Sequence, residues 1–347
     1  MRAADTAGGG ATRSERVAVL LPFRDVAPWL DAAIESVRAE PIVDRLILVD
    51  DGSSDESAEI ALAHGRIDER IELLRTEGRG LVAALSLARS RTTATFLARM
   101  DGDDVSIPGR IASAVIRLER DPALAAVGTR VEAFPSEHVN EGMARYVAWQ
   151  NGVLEPREHR DALFVEAPLC HPSVVLRASA LDAVGGYRDG PFPEDYDLWL
   201  RLDRRGFGLA KLPELGLRWR QREGRLTFGD PRYSLEAHRA LKARYLAERL
   251  ATLWRAREHG VTVWGAGPTG KRLARDLEAH GVRAGAFIDI DPDKLGRTRR
   301  GVRVHDASVL DDAPRPLAIV AVGARGARDL IASELVRRGL VEGEDFL

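Results

Sequence analysis

Short, continuous apolar runs recur along the first third of the chain and indicate its fold. They lie at residues 17–21, 46–49, 71–74 and 95–98. A run without polar alternation is typical of a parallel strand that is covered on both faces. Between the first two runs, Leu30, Ile34 and Val37 recur at helical spacing, which indicates an amphipathic helix. Strands that alternate with helices in this way predict an open α/β sheet.

Polar residues cluster where the second and the fourth predicted strands end. Asp50 and Asp51 follow the second strand, and an acidic loop, residues 101–104, follows the fourth. Ligands of open α/β sheets bind outside the carboxyl ends of the strands, so we expect both clusters on the ligand-binding edge. Ser53 and Glu56 also have the capping-box pattern, which predicts that the next helix starts there.

Three of the four residues in the acidic loop are aspartates, namely Asp101, Asp103 and Asp104. Carboxylates crowded at the end of a buried strand repel one another and lose hydration, so a cation or hydrogen bonds must compensate them. Mg²⁺ and Mn²⁺ prefer oxygen ligands, which makes a divalent-metal site the functional interpretation. A polar turn with helix-capping aspartates is the structural alternative, and the motif alone leaves both open.

Two further polar stretches are candidates for chemistry. Arg79 and Gly80 precede a predicted helix whose N-terminus attracts anions, so a guanidinium and a backbone amide would lie near phosphates. Glu194 and Asp195 open another predicted helix. They either stabilise the helix dipole, at only ~0.3–1 kcal/mol per charge, or supply a general base that accepts a proton from a substrate hydroxyl.

A second βα pattern occupies the last quarter of the chain. Gly265, Gly267 and Gly270 follow an apolar run, and Asp289 ends the next run about 20 residues later, as the dinucleotide-binding fingerprint requires. These residues predict a Rossmann-like nucleotide site, and glycines that serve only a tight turn and helix packing are the alternative. Fewer than about 100 residues remain here, which is short for a cofactor domain plus a catalytic domain and disfavours hydride chemistry.

Composition and charge narrow the class of protein. The chain has 347 residues, with 51 Lys and Arg against 53 Asp and Glu, so its net charge of −2 gives no basic field for nucleic acid. The single cysteine, Cys170, excludes an intramolecular disulfide. No apolar run approaches the ~20 residues that span a bilayer. We expect a cytoplasmic protein, with peripheral membrane contact left open, and a disordered N-terminus over residues 1–15.

Five stretches of the sequence, taken in order, resemble the motifs of one enzyme family. They are LLPFR at 20–24, VDDGSSD at 49–55, MDGDD at 100–104, HPS at 171–173 and EDYDLW at 194–199. Each motif is weak alone, but their order and spacing together resemble family 2 glycosyltransferases. The resemblance spans residues 16–228 and implies the GT-A fold, a doubly wound α/β domain. It also implies transfer of a sugar from a nucleotide diphosphate donor, with inversion at the anomeric carbon.

The resemblance implies roles for individual residues. Asp195 matches the catalytic base, with Glu194 beside it. Asp101 and Asp103 match the element that positions Mn²⁺ or Mg²⁺ on the donor diphosphate. The residues implied to bind the nucleotide-sugar are Pro22, Arg24, Asp51, Arg79, Gly80, Asp101, His171, Arg220 and Arg222.

Two members of that set carry specific expectations, and a third departs from the family. By the resemblance, Asp51 hydrogen-bonds the donor base, often uracil, and His171 has an orienting role. Arg222 stands where many relatives carry a histidine that joins the metal site. An arginine cannot ligate a metal, but Arg222, together with Arg220 or Arg225, could bind the diphosphate directly.

The predicted architecture places a GT-A domain at residues 16–228, a connecting helix at 229–259 and a smaller Rossmann-like α/β domain at 260–347. The predicted activity is metal-dependent, inverting transfer from a UDP-sugar to a hydroxyl of a carbohydrate or lipid-linked acceptor, in polysaccharide, glycolipid or glycoprotein biosynthesis. One alternative is a sugar-phosphate nucleotidyltransferase, disfavoured because residues 22–25 lack the Gly-rich basic loop of such enzymes. The other is a non-enzymatic nucleotide-sugar sensor.

Overall fold

The computed structural model describes residues 15–225, 229–311, 314–324 and 326–347. These residues form two compact units. The first holds the described residues up to Asn151 together with Leu169–Tyr187 and Lys211–Gln221, and the second holds Gly152–Pro168, Arg188–Ala210 and the described part of Arg222–Leu347. The prediction of a disordered N-terminus falls almost wholly on residues 1–14, which lie outside the described residues. The predicted domain limits remain predictions.

The first unit is built on an eight-stranded mixed sheet. Its strands are β1 Val17–Phe23, β2 Arg45–Asp50, β3 Ile71–Arg75, β4 Phe96–Arg99, β5 Val105–Ser106, β6 Leu124–Phe134, β7 Val175–Arg177 and β8 Gly208–Arg220. Their order across the sheet is β3-β2-β1-β4-β7-β6-β8-β5. β1 pairs in parallel with β2 and β4, whereas β7 runs antiparallel to β4. All seven residues of β1 are buried, as the continuous apolar run predicted.

The helices up to residue 204 are α1 Ala27–Arg38, α2 Ser57–Ile67, α3 Leu81–Ser90, α4 Arg110–Arg120, α5 Glu141–Gly152, α6 Pro156–Ala162, α7 Ala178–Ala183 and α8 Glu194–Arg204. The apolar residues predicted for one face of α1, namely Leu30, Ile34 and Val37, are all buried. The capping-box prediction is wrong, since α2 begins at Ser57, whose amide N–H donates to Asp55 Oδ1 at 3.0 Å. Ser53 instead donates its amide N–H to Asp50 Oδ1 at 2.8 Å, which holds the loop in a turn before the helix.

The second unit contains a separate five-stranded sheet. Its strands are β9 Val261–Trp264, β10 Ala284–Ile288, β11 Thr298–Arg299, β12 Val302–His305 and β13 Leu317–Val320. β9 pairs in parallel with both β10 and β13, and the order is β11-β12-β10-β9-β13. From β9 the chain adds β10, β12 and β11 on one side of the sheet, and then returns to add β13 on the other side of β9. The position between β9 and β13 is therefore the topological switch point of a doubly wound sheet.

The later helices are α9 Leu235–Leu250, α10 Trp254–His259, α11 Pro268–Glu278 and α12 Ala327–Arg337. The predicted connecting helix is thus two helices, because Leu253 has an extended backbone between α9 and α10. The two α/β sheets with their helices agree with the predicted fold class. Within the described part of the chain, no helix combines the length and the apolar composition that crossing a membrane requires.

Candidate active site

The acidic loop turns at the carboxyl end of β4 and brings its three aspartates together. One carboxylate oxygen from each of Asp101, Asp103 and Asp104 lies within 4.8 Å of the other two. Asp103 and Asp104 are buried, whereas Asp101 is half-buried. Because Mg²⁺ and Mn²⁺ bind through oxygen, this donor set fits a divalent cation.

Guanidinium groups and hydrogen bonds compensate part of the charge of the acidic loop. Arg99, at the end of β4, forms an ion pair with Asp101. The Nε of Arg220 donates to the backbone carbonyl of Asp103 at 2.7 Å, and the Arg220 amide N–H donates to Asp104 Oδ1 at 2.7 Å. Of the two compensations expected from the sequence, the structure shows the hydrogen bonds, together with an ion pair; the cation stays a prediction.

Arg110, at the start of α4, joins the acidic loop to the turn that carries His171. Its guanidinium donates to the backbone carbonyl of Arg99 at 3.3 Å and to that of Pro172 at 3.0 Å. Burial lowers the pKa of Arg110 to about 10, so the group remains cationic near neutral pH. His171 is also buried, and its Nε2 lies 3.0 Å from Tyr187 Oη. The structure thus places His171 at the same sheet edge as the acidic loop.

Gly102 lets the acidic loop pack against the end of β1 and the start of α1. A Cβ atom at this position would lie 2.8 Å from Cβ of Phe23, 3.0 Å from Cγ2 of Val26 and 3.3 Å from Cδ1 of Leu30. The first of these distances is shorter than real Cβ contacts, so a larger residue would displace the loop. Close packing therefore favours glycine at position 102, whether or not the loop binds a cation.

Asp51 fixes the loop that precedes α3. Its Oδ1 accepts the amide N–H of Arg79 at 2.8 Å and the hydroxyl of Thr76, and its Oδ2 accepts the amide N–H of Gly80 at 2.9 Å. An ionised carboxylate has about four lone-pair positions, so three accepted hydrogen bonds leave room for one ligand donor. The structure therefore brings together three of the residues predicted to bind the donor.

Arg24 reaches from the end of β1 to the same loop. A Cβ atom on Gly78 would lie 3.3 Å from Nη1 of Arg24, and a Cβ atom on Gly52 would lie 2.9 Å from the amide nitrogen of Gly78. Both glycines have positive φ, +75° for Gly52 and +69° for Gly78. The backbone conformation and the close approach of neighbouring atoms therefore both favour glycine at these positions. Pro22 is buried within β1, where it pairs with Val49 of β2.

Arg220 and Arg222 have different surroundings. The Arg220 guanidinium lies over two aromatic rings, 5.5 Å from the centroid of Trp29 and 4.4 Å from that of Phe134. Together with its bonds to the acidic loop, this stacking fixes Arg220 at the sheet edge. Arg222 belongs to the second unit, where it donates to the backbone carbonyl of Glu223 at 3.3 Å. The role of Arg222 stays a prediction.

Glu194 and Asp195 lie in the first turn of α8, within the second unit. Glu194 is buried, and its Oε2 accepts the O–H of Tyr233 at 2.6 Å. Asp195 is half-buried, and its Oδ1 accepts the amide N–H of Tyr196 at 2.7 Å. Burial and the charges of both acids raise the pKa of Tyr233, so this phenol stays protonated and donates. The two neighbouring acids therefore have different environments.

Three residues that hold these groups in place were missed from the sequence, namely Arg99, Arg110 and Tyr233. For Arg99 there was a signal, since it interrupts an apolar strand directly before the acidic loop. Arg110 also follows the loop closely, although a basic residue at a helix start gives no sign of being buried. Tyr233 gave no signal, because 39 positions separate it from Glu194.

The predicted glycine motif of the second unit connects β9 to α11. A Cβ atom on Gly270 would lie 1.7 Å from the carbonyl oxygen of Gly265, and Gly265 has φ of +126°. Close packing and backbone conformation thus account for these two glycines. Gly267 differs, because its backbone is extended and nothing lies within 4 Å of an added Cβ. Asp289 accepts the amide N–H of Ala266 at 2.9 Å, which ties the end of β10 to the loop.

Comparison with known proteins identifies the family. Residues 18–185 match the family described as Glycosyl transferase family 2. EpsE of Bacillus subtilis (strain 168), which is named as a glycosyltransferase, is 30% identical over 205 residues, covering 57% of this chain and 70% of EpsE. This chain belongs to glycosyltransferase family 2. The amylovoran biosynthesis glycosyltransferase AmsE of Erwinia amylovora is 29% identical to it over 188 residues, covering 54% of this chain and 68% of AmsE.

A solved structure shows the same fold. The crystal structure of S. aureus TarS 1-349 in complex with UDP-GlcNAc superposes with a TM-score of 0.53 at 13% identity, covering 76% of this glycosyltransferase and 72% of the TarS chain. The predicted GT-A fold and the predicted enzyme class are therefore confirmed. The roles of the individual site residues stay predictions.

Proposed function

We propose that this glycosyltransferase moves a sugar from a UDP-sugar, bound with Mn²⁺ or Mg²⁺, to an acceptor hydroxyl with inversion at the anomeric carbon. One observation carries the proposal. Asp51 follows β2, the acidic loop follows β4, and these two strands flank β1 in the sheet. The groups proposed to bind the nucleotide and to hold the cation therefore share one sheet edge, where Arg24 also emerges from β1.

The cation would be held by the acidic loop, with Asp103 as the main ligand and Asp101 and Asp104 beside it. A divalent cation bound to the diphosphate supplies charge stabilisation to the leaving nucleoside diphosphate without proton transfer. Arg220 adds a fixed positive charge next to the loop, since its guanidinium is held by the Asp103 carbonyl. This protein charge acts on the same leaving group.

The proposed base-binding residue is Asp51. Its remaining acceptor position suits the imide N–H of uracil, since the other three positions are used by the loop before α3. The N-terminus of α3, whose N-cap residue Gly80 has no side chain, offers backbone amides to phosphate. TarS, which shares the fold, was solved with UDP-GlcNAc. These points support UDP as the donor nucleotide.

Asp195 is the proposed catalytic base. The acceptor hydroxyl oxygen forms its bond to the anomeric carbon as the bond from that carbon to the diphosphate oxygen breaks, and the hydroxyl proton passes to the Asp195 carboxylate. This single displacement inverts the carbon and needs no covalent nucleophile. Glu194, whose carboxylate accepts the Tyr233 hydroxyl, is proposed to hold the first turn of α8 in place. His171 keeps the orienting role implied by the family.

The acceptor is proposed to be a carbohydrate or a lipid-linked sugar in polysaccharide, glycolipid or glycoprotein biosynthesis. AmsE carries amylovoran biosynthesis in its name, which supports a polysaccharide pathway. A cytoplasmic location with peripheral membrane contact belongs to the same proposal. The domain limits at residues 16–228, 229–259 and 260–347 are also part of this proposal.

An Asp195→Asn variant tests the proposal. It should lower the rate of transfer by about 10²–10⁴-fold, the usual contribution of general-base catalysis, while UDP binding is kept. Asp329→Asn is the matched control, because Asp329 is also an acid in the first turn of an α-helix. NMR of the wild-type product should show the inverted anomer. Unchanged turnover in Asp195→Asn would remove Asp195 as the base, and a retained anomer would exclude single displacement.

A further inference from the structure

A cavity of about 200 Å³ lies within the second unit, between the first half of α9 and the first turn of α11. Basic side chains line it from both helices. His238, Arg239 and Lys242 come from α9, and Arg272 comes from α11. Among the lining residues that the structure describes, one is acidic, namely Glu166. The lining therefore suits an anion.

One residue that lines the cavity lies at the switch point of the five-stranded sheet. Thr269, another lining residue, lies in the first turn of α11, which begins just after β9 ends. A Cβ atom on Gly323, which follows β13, would lie 2.8 Å from Thr269 Oγ1. Thr269 is therefore next to the carboxyl ends of both β9 and β13. Doubly wound sheets bind ligands in the crevice outside these ends.

The start of α11 carries cations where helices usually carry acids. Lys271 is the fourth residue of the helix and Arg272 the fifth, no acid lies in the first turn, and Gly267 provides no side-chain cap. Cations are unfavourable at a helix N-terminus, whose backbone N–H groups attract negative charge. A bound anion would offset both the repulsion and the uncapped amides. The open space above Gly267 leaves room for its approach.

The α9 side of the cavity also holds positive charge that its surroundings only partly compensate. Lys242 donates to the backbone carbonyl of Val165 at 3.2 Å, and Arg239 pairs with Asp276 at 2.7 Å. Burial lowers the pKa of Lys242; the nearby Glu166 carboxylate opposes the shift and the Arg239 guanidinium adds to it. An anion between these groups would stabilise the charged form of Lys242.

We propose that this cavity binds the diphosphate of a nucleotide through Arg272, Lys242 and the backbone amides that open α11. The site is distinct from the acidic loop, which lies in the first unit, and it does not depend on the sugar-transfer proposal. It adds two side chains from outside the glycine motif to the predicted nucleotide-binding residues of this unit. Arg239 and His238 form the remaining basic wall.

Calorimetric titration of the full chain with inorganic pyrophosphate, in EDTA and without divalent cations, tests the site. The affinity should fall about tenfold in Arg272→Ala and in Lys242→Met, because each change removes a charge-assisted hydrogen bond. Arg275→Ala is the matched control, since Arg275 is an exposed arginine on the same helix outside the cavity lining. Equal affinity in the wild type, Arg272→Ala and Lys242→Met would overturn the proposal.

A second set of titrations separates this site from the donor site. We expect the affinity for pyrophosphate in EDTA to stay within about twofold of the wild-type value in Arg24→Ala and in Asp103→Ala. If these variants lose binding while Arg272→Ala keeps it, the anion belongs to the first unit and the proposal fails. Because Arg272 is exposed, we expect Arg272→Ala to keep the fold. If Lys242→Met has a lowered melting temperature, the affinity of Arg272→Ala alone tests the site.

The ligand class is tested with ADP, UDP, NADH and phosphatidylglycerol vesicles. A nucleotide that binds more tightly than pyrophosphate, and loses that affinity in Arg272→Ala, supports the proposal. Vesicle binding that depends on Arg272, without binding of any of the three nucleotides, would identify a lipid phosphate as the ligand and overturn the assignment to a nucleotide.

Discussion

The phenol of Tyr233 donates a 2.6 Å hydrogen bond to Glu194 Oε2, although 39 positions separate the two residues. Glu194 and Asp195 are adjacent acids in one helical turn, and in the sequence only the family resemblance distinguishes them. The structure does, because the buried Glu194 receives the phenol while Asp195 is half-exposed. We therefore predict a positioning role for Tyr233, through its hydrogen bond to Glu194.

Replacing Tyr233 by Phe should lower kcat about tenfold while the dissociation constant for the donor changes little. The ring keeps its packing, but Glu194 loses the hydrogen bond that Tyr233 donates. One such bond is worth about 0.5–1.5 kcal/mol, and its upper end corresponds to about tenfold in rate. Steady-state kinetics together with calorimetry of UDP binding measure the two quantities separately.

Tyr245→Phe is the control for this variant. Tyr245 donates to Asp197 Oδ1 at 2.8 Å on the same helix, so the chemical change is identical at a carboxylate that is not proposed to take part in the reaction. It should lower the melting temperature and leave kcat within about twofold, since a lost hydrogen bond costs only about 1 kcal/mol of stability. Equal losses of kcat in both variants would show that Tyr233 serves only to stabilise the fold.

Gly102→Ala should weaken the binding of Mn²⁺ by tenfold or more, because the added methyl group displaces the acidic loop from Phe23 and Val26. Overpacking of this kind also costs about 1–3 kcal/mol of stability. Gly152→Ala is the matched control, since nothing lies within 4 Å of a Cβ there. Calorimetric titration with Mn²⁺ measures the effect, and unchanged affinity in Gly102→Ala would separate the packing of the loop from cation binding.

Lys211 should make stability depend on pH. Burial lowers its pKa from 10.5 to about 7, with the nearby Cys170 opposing the shift and Arg130 adding to it. Below about pH 7 both folded and unfolded chains hold the proton, whereas between about 7 and 10.5 only the unfolded chain holds it. The free energy of unfolding should therefore rise with pH across that window.

Lys211→Met should reduce this rise without abolishing it, because the pKa of the buried Lys242 is also lowered. Urea unfolding at three pH values between about 7 and 10 measures the slope. Lys271→Met is the control, because Lys271 is exposed and its substitution should leave the wild-type slope. Lys211 also donates to the backbone carbonyl of Gln150, so the variant changes stability at all pH values as well. A wild-type pH slope in Lys211→Met would show that another group causes the dependence.

The sequence predicted most of the first sheet because its signals were local. The apolar run from Val17 gave β1, and the aspartates after β2 and β4 had to meet at one edge once the strands were parallel. The start of α2 was predicted wrongly, because the Ser53 hydroxyl accepts the Asp25 amide N–H at 3.1 Å, a contact distant along the chain that the capping pattern does not contain. Local pattern cannot weigh such competing partners.

What the sequence did not show depends on contacts distant along the chain. The bond from Arg110 to the Pro172 carbonyl spans 62 positions, and that from Arg220 to the Asp103 carbonyl spans 117. Neither partner can be identified from the residues next to these arginines in the sequence, because only the fold brings each pair together. The basic cavity at the start of α11 was missed for the same reason, since its lining comes from separate helices.

The central claim is that the acidic loop holds a divalent cation that the donor nucleotide needs. Calorimetry of UDP binding, with and without Mn²⁺, tests it in the wild type, in Asp103→Asn and in the control Asp121→Asn, which changes an aspartate outside the acidic loop. We predict that Mn²⁺ strengthens UDP binding at least tenfold in the wild type and the control, and has little effect in Asp103→Asn. Equal strengthening in all three proteins, or none in the wild type, would contradict the claim.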